Sequence, residues 1–407
     1  MNVLLGFTTI AFICLMTLII ALRWPGISKI IFTALIVRVI FLLVGEFITP
    51  LPDSTADALT YEHVASKMAQ EGFYNILSNF KGPDPRFISW LIAIPYSLLD
   101  RSMLMAKSMS LVFGLGSVFL GWLVAKKIWN NDIANKVGWF IALFPSLVLY
   151  SVITMREAYI VFFLLLALLG VVSWVKTDNL KSVILALFGF IGASFFHGGM
   201  FVGGIVFLGA VGFSSLKRLF KSLINLRINP KIIIFLSLFF ISAGFYFSNK
   251  INVPYLGSFE NSTNIENLLY KTNVATRGVA SWPEWTVISS PIEFIYKTPI
   301  RAFYVIFAPF PWDIVKVKHL IGLFDAFLYM YLTFLIFKNR EVIWKDPLLR
   351  IMLIILLSYI IVFAIGVGNF GTGIRHRSKF VVIFIILAAP LLKKFSILKK
   401  IKKIRGF

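Results

Sequence analysis

Four side chains that carry or can carry positive charge fall within five consecutive positions near the C-terminus: Arg375, His376, Arg377 and Lys379. Guanidinium forks bind phosphate through paired hydrogen bonds and stay charged at any working pH. The group therefore suits an anionic partner, such as a phosphate leaving group whose charge grows as a bond breaks. The competing reading is an anchor for anionic lipid headgroups. Far upstream, the stretch Pro52-Asp53-Ser54-Thr55-Ala56-Asp57-Ala58-Leu59-Thr60-Tyr61 opens a helix expected over Asp57–Glu71, with Asp57 and Tyr61 one turn apart on one face. A carboxylate there, beside a bilayer surface, can accept a proton from a hydroxyl or hold a metal or the counter-cation of a phosphate. Equally, Asp53 and Asp57 can do no more than cap a surface helix.

Three further groups stand out. Arg156-Glu157 separates two apolar runs, and a charged pair at the edge of lipid is either functional or a self-neutralising ion pair. His197 lies in Phe196-His197-Gly198-Gly199, where the glycines permit close approach of backbone or ligand; a hydrogen-bonded structural histidine is the alternative. Arg301 precedes Pro309-Phe310-Pro311-Trp312-Asp313, whose prolines break a helix. Arg301 is a candidate phosphate contact, and Trp312 either stacks on a sugar ring or joins the interfacial aromatic belt.

The elements that must position these residues are membrane helices. In 407 residues, 59% are hydrophobic, 14% are charged and the mean hydropathy is +0.87, too little polar surface to cover a water-soluble globule of this size. The net charge of +22 points to nucleic acid only until its position is considered. Of the 40 Lys and Arg, 23 lie in six segments, 23–29, 126–136, 176–181, 217–231, 338–350 and 393–405, with only Asp132, Asp178, Glu341 and Asp346 among the 18 acids. Those segments are cytoplasmic by the positive-inside rule.

Spans that alternate correctly with them are approximately 2–22, 30–49, 104–125, 135–153, 157–175, 181–196, 198–214, 231–248, 319–337, 350–368 and 378–392. The expected fold class is thus an all-α polytopic membrane protein with about eleven transmembrane helices. The N-terminus lies outside an inner-membrane-type bilayer and the C-terminus in the cytoplasm. Two shorter apolar stretches, 87–99 and 301–315, are read as re-entrant or interfacial helices on the outer side. The whole chain, 1–407, forms one integral membrane domain. Its outer segments 50–103 and 249–318 each carry a re-entrant helix, and 393–407 is a basic tail that meets membrane lipid. The first apolar segment lacks a basic n-region and a small-residue cleavage site, so it reads as a retained helix.

The order of motifs resembles the GT-C superfamily of glycosyltransferases. An acid and Tyr follow the first outward crossing; then come Pro83-Asp84-Pro85-Arg86 leading into a short apolar helix, a span ending in Lys126-Lys127-Ile128-Trp129, Leu143-Phe144-Pro145-Ser146, and Thr154-Met155-Arg156-Glu157. The resemblance covers residues 30–215 in order, plus the basic motif near the C-terminus. It implies a membrane enzyme that joins polyprenyl-phosphate- or pyrophosphate-linked sugars at the outer leaflet during surface polysaccharide assembly. By position, Asp57 would be the first-loop acid and Glu157 the second-loop acid. The chain departs from the pattern in having an extra helix before the first acidic loop and no paired acids at the key position, so Asp53 rivals Asp57. The basic cluster is similar to that of O-antigen and capsule repeat-unit polymerases, which implies a donor and acceptor linked to polyprenyl pyrophosphate and polysaccharide-assembly partners. Under this expectation Asp57, with Asp53 or Glu157, handles the acceptor hydroxyl. Arg375, His376 and Arg377, with Tyr61, Arg86, Arg156, His197 and Arg301 around them, hold sugar and phosphate. No resident cofactor is expected, although acids of this kind are compatible with a divalent cation.

His63, His197, His319 and His376 show no metal-site spacing, and there is no phosphate-cradling nucleotide loop or dinucleotide fingerprint. The alternative function is a transporter or flippase of a lipid-linked glycan, which predicts charges along the spans and inverted repeats. Arg38 and Glu46 do lie in an apolar span.

Overall fold

A computed structural model describes residues 2–80, 82–83, 86–224, 230–248, 264, 266–267, 269–270, 280–314 and 319–393. Asp84 and Pro85, most of the 249–279 segment, part of the 217–231 connector and the basic tail beyond Lys393 lie outside the described residues. The described residues are helical, with one isolated bridge, Ser281 to Asn369, and no strand.

Six helical stretches among them are long and apolar enough to cross a bilayer: Val3–Arg23, Pro25–Phe47, Met103–Ile128, Glu157–Thr177, Gly198–Ser222 and Pro347–Gly366. Leu180–Phe196 and Val381–Leu391 are apolar but shorter. The chain is an all-α, multi-pass membrane protein. Its helices are α1 (Asn2–Arg23), α2 (Ser28–Phe47), α3 (Asp57–Gln70), α4 (Phe73–Ser78), α5 (Phe87–Leu99), α6 (Met103–Ile128), α7 (Asn131–Leu143), α8 (Pro145–Tyr150), α9 (Glu157–Thr177), α10 (Leu180–Phe196), α11 (Phe201–Ile224), α12 (Pro230–Phe247), α13 (Glu293–Phe307), α14 (His319–Lys338), α15 (Arg340–Lys345), α16 (Pro347–Gly366), α17 (Phe370–Ser378) and α18 (Val381–Ala388).

Local chemistry sets several of these boundaries. Side-chain oxygens of Ser102, Asn130, Asn179, Asp346 and Asn369 accept backbone N–H groups at the starts of α6, α7, α10, α16 and α17, supplying partners that a helix start otherwise lacks. Close packing of α9 against α10 depends on glycine. A Cβ at Gly170 would come within 2.3 Å of the Ala186 nitrogen, and one at Gly189 within 2.3 Å of the Ala167 nitrogen. Small residues at such contacts let membrane helices approach backbone to backbone.

The expected crossing 135–153 is not one helix. Pro145 cannot donate a backbone hydrogen bond, and the chain breaks at Phe144 into α7 and α8. The break explains the charge in α2. Arg38, fully buried, donates to the carbonyls of Ala142 (2.7 Å) and Ile141 (3.3 Å) and to Ser151 Oγ (3.0 Å). It thereby satisfies carbonyls that the interrupted helix leaves without partners. Glu46, the other charge in that span, accepts from Lys107 at 2.7 Å.

The helix expected over 87–99 is α5, and it packs on α3. Buried Glu62 of α3 receives the Tyr96 hydroxyl at 2.9 Å and pairs with Arg101 at 2.7 Å. The second such stretch, expected over 301–315, begins earlier: α13 starts at Glu293 and stops at Phe307, just before a cis Ala308–Pro309 bond. The basic motif that lies between the expected spans 350–368 and 378–392 is itself a helix, α17, capped by Asn369 through the Thr372 amide at 2.8 Å. Backbone bonds from Trp282 to the Gly368 carbonyl and from Phe370 to the Ala280 carbonyl tie its start to the 280–288 segment.

Candidate active site

A helix places residues two apart on roughly opposite sides and residues four apart on the same side. In α17 and just past its end, that rule separates Arg375, His376 and Lys379 from Arg377. Arg375 and Lys379 meet acids and His376 meets His197, whereas Arg377 turns into the protein.

Arg375 joins three distant parts of the chain. Its Nη1 donates to Asp57 Oδ2 at 2.6 Å and its Nε to Glu157 Oε1 at 3.1 Å. Lys379 Nζ lies 3.8 Å from the same Glu157 oxygen and 2.9 Å from His376 Nδ1. The His376 ring meets His197 edge to face with centroids 5.0 Å apart. Arg156, next to Glu157, sits over the Tyr61 ring at 5.8 Å. Asp57, Tyr61, Arg156, Glu157, His197, Arg375 and His376 thus converge at the start of α3, the start of α9 and the turn after α10.

The two acids are not equivalent. Glu157 has a side-chain exposure of 1%, and its second carboxylate oxygen, Oε2, has no partner among the described residues. Asp57 is 51% exposed. An ion pair open to water is weak and exchangeable, whereas removing a buried partner leaves an uncompensated charge. Arg375 therefore has one fixed partner, Glu157, and one replaceable partner, Asp57. Beside the first turn of α3 is a hollow of about 180 Å³, lined by Ser54, Thr55, Ala58, Lys107 and Thr154 among others. Thr154 Oγ1 donates to the Ala58 carbonyl at 2.6 Å, fixing that turn against the chain that leads into Arg156-Glu157.

Other expected residues are placed differently. Asp53, in the left-handed region at φ 60°, accepts from the Tyr150 hydroxyl at 2.9 Å and pins the loop to α8. Arg301 is fully buried; it donates to the carbonyls of Ala364, Thr286, Ile365 and Val367 and lies over Trp282. Arg377, also fully buried, pairs with Asp325 at 2.9 Å and donates to the carbonyls of Ile306 and Ala308. Both bind the protein's own oxygens, in contrast to the phosphate contact expected of them. Arg86 is exposed at the start of α5, where its carbonyl receives the amides of Ser89 and Trp90. Trp312 is 76% exposed and stacks on Phe310.

Sequence reasoning left out Lys379 as a site residue, although it belongs to the same basic run and its i, i+4 spacing from Arg375 puts it on the acid-facing side. It also left out Asp325, Arg377's partner. A lone acid in the apolar stretch 319–337 was the available signal, because such a charge in a membrane helix implies a partner.

Among the described residues no group of three or more His, Cys, Asp or Glu gathers as a ligand set. The two carboxylates that meet here already share Arg375, with Lys379 and Arg156 beside them. This donor set does not fit a divalent cation.

Burial, and then the nearby charges of Lys379, Arg375 and Arg156, hold the His376 imidazole well below its usual 6.5. Burial also lowers His197, with Lys379 the next cause. Both rings are neutral at pH 7. Below about pH 6.5 the unfolded chain takes up protons that the folded site refuses, so folding stability falls with pH. Thermal unfolding in detergent should show a lower melting temperature at pH 5 than at pH 7, and His376→Gln should flatten that dependence. An unchanged slope in the variant would remove His376 from the account.

No protein-family model matches this chain, and no curated protein matches it.

Proposed function

We propose that the chain is a membrane glycosyltransferase that transfers a sugar from a polyprenyl-phosphate or pyrophosphate donor to a hydroxyl acceptor at the outer leaflet, in the assembly of a surface polysaccharide. The observation that carries this reading is Arg375 bridging Asp57, 318 residues away in sequence, and Glu157, 218 residues away. An exchangeable acid and a permanently held guanidinium are the two groups such a transfer requires.

In the transfer, the acceptor oxygen bonds to the anomeric carbon as the bond from that carbon to the phosphate oxygen breaks. The phosphate leaves with the bonding electron pair, and the acceptor loses its proton. As the donor phosphate binds, it takes Asp57's place on Arg375, with Lys379 and Arg156 adding charge. Stabilising charge where it develops is the larger part of such catalysis. Asp57, released from Arg375 at the start of α3, next to the hollow that Ala58 lines, accepts the acceptor proton. Glu157 is a positioning residue: it holds Arg375 and Lys379 in place from the buried side. The resemblance of motif order to the GT-C superfamily and the multi-pass helical architecture point the same way. Transport of a lipid-linked glycan draws on Arg38 and Glu46 as charges in a path, but each has a fixed partner and neither faces the other.

Proteoliposomes given a radiolabelled polyprenyl-linked oligosaccharide test this directly. The wild-type chain is expected to yield products with new glycosidic linkages. Asp57→Asn, at an exposed position that the fold does not need, should lower the rate by at least about 100-fold, the lower range for loss of a general base. Movement of labelled lipid across the bilayer with no new linkage would overturn transfer in favour of transport.

A further inference from the structure

We propose that the end of the molecule opposite Asp57 carries a second site, which binds the phosphate headgroup of an acidic diacyl lipid. A cavity of about 320 Å³ opens between the end of α1, the end of α6 and the start of α7, at the small end of the roughly 300–1,000 Å³ typical of small-molecule sites. Its place in the fold follows from α6 and α9. Lys127 Nζ bonds Ser173 Oγ near the C-terminus of α9, whereas Glu157 begins that helix. The neighbouring Lys126 therefore lies a full helix length from the acid cluster.

The lining is built rather than incidental. Arg23 and Lys126 supply two cations, and Asn131 and Asn135 supply amides. Lys126 is held over the Trp122 ring with its nitrogen 4.8 Å from the centroid, a cation–π contact that fixes where the charge points. Buried Trp122 donates its indole N–H to Asn135 Oδ1 at 2.8 Å. That bond orients the amide so that its nitrogen remains a donor. Trp24 completes the rim, packed on Phe119 at 4.8 Å. Asp132, in the first turn of α7, is not part of the lining. Two cations and one oriented amide donor, with no carboxylate in the lining, select an anion, and a phosphate ester offers the oxygens to meet them.

A second observation identifies the source of that phosphate. Leu15, Leu18, Ile19 and Leu22 of α1 are 53%, 42%, 50% and 72% exposed. They form a stripe at helical spacing that ends one residue before Arg23. In a multi-pass membrane protein such a stripe meets acyl chains, so the cavity opens where lipid-facing surface gives way to charge. Basic pockets between membrane helices on the positively biased side are suited to anionic headgroups. Nothing in this site depends on the transfer chemistry at Asp57.

Native mass spectrometry of the full chain in nonionic detergent, with equimolar dioleoyl phosphatidylglycerol and phosphatidylcholine, reads the preference. Each cation near a headgroup contributes about a fivefold preference. The wild-type chain should therefore retain the anionic lipid on the order of 25-fold over the zwitterionic one. Arg23 and Lys126 are exposed, so R23Q/K126Q is expected to fold normally and to lose most of that preference. K127Q, changed outside the cavity lining, should keep it. Equal retention of both lipids by the wild type, or equal loss in K127Q and K126Q, would overturn a built site. Displacement of the lipid by millimolar inorganic phosphate would overturn the lipid source.

Discussion

Replacing Arg375 with alanine is expected to lower kcat/KM for transfer by about 10⁴. Loss of one preorganised donor aimed at developing charge costs about 10²–10³, and Arg375 does more than donate. It also sets the position of Asp57, through the 2.6 Å contact that a bound phosphate would replace. Arg375→Lys keeps the charge but cannot reach two carboxylates in different directions from one planar fork, so it should recover little of the rate. The fold changes less. Removing the guanidinium leaves Glu157 buried and short of a partner, which costs about 3–5 kcal/mol when compensation is absent; Lys379 at 3.8 Å remains to offset part of that. The double variant Arg375→Ala/Glu157→Gln removes both charges of the pair and should regain part of the lost melting temperature in detergent while staying inactive, the remainder reflecting Lys379 left without its acid. A folded Arg375→Ala variant that still transfers within about tenfold of wild type would remove Arg375 from the chemistry, since no single-donor loss is that small.

Much of this arrangement was legible in the sequence because the constraints on membrane helices are severe. Unbroken apolar runs near 20 residues leave few alternatives, and α1, α2, α6, α9 and α16 begin and end within a few residues of the expected spans. The helix expected over Asp57–Glu71 ends one residue earlier, at Gln70. What pattern alone does not carry is the partner of each charge. Arg38 stood out only as a charge in an apolar span, because nothing local marks Ala142 and Ile141 as carbonyls that Pro145 leaves without donors. Hydropathy likewise averages across Phe144 and Pro145 and returns one crossing where the backbone makes two helices. The Arg375-to-Lys379 run read as one basic patch; only its being helical divides it into an acid-facing side and a protein-facing side.

That division makes the second expectation sharp, because Arg375 and Arg377 are two residues apart and should fail in opposite ways. Arg377 is fully buried, holds Asp325 at 2.9 Å and also donates to the carbonyls of Ile306 and Ala308, at the end of α13. Arg377→Ala would leave a buried carboxylate and two carbonyls without donors, at a cost of about 3–5 kcal/mol and more where the carbonyls find no water. In a membrane protein of ordinary stability that is a large share of the total. The variant should accumulate poorly, melt far below wild type in detergent, and transfer at near-normal rates per folded molecule. Arg377→Met with Asp325→Leu removes both charges together and should recover most of the loss, because a buried pair replaced by apolar side chains is often neutral in stability. If the doubly substituted chain folds but no longer transfers, Arg377 reaches the substrate after all. A stable, active Arg377→Ala chain would instead show that the 2.9 Å pair with Asp325 contributes little.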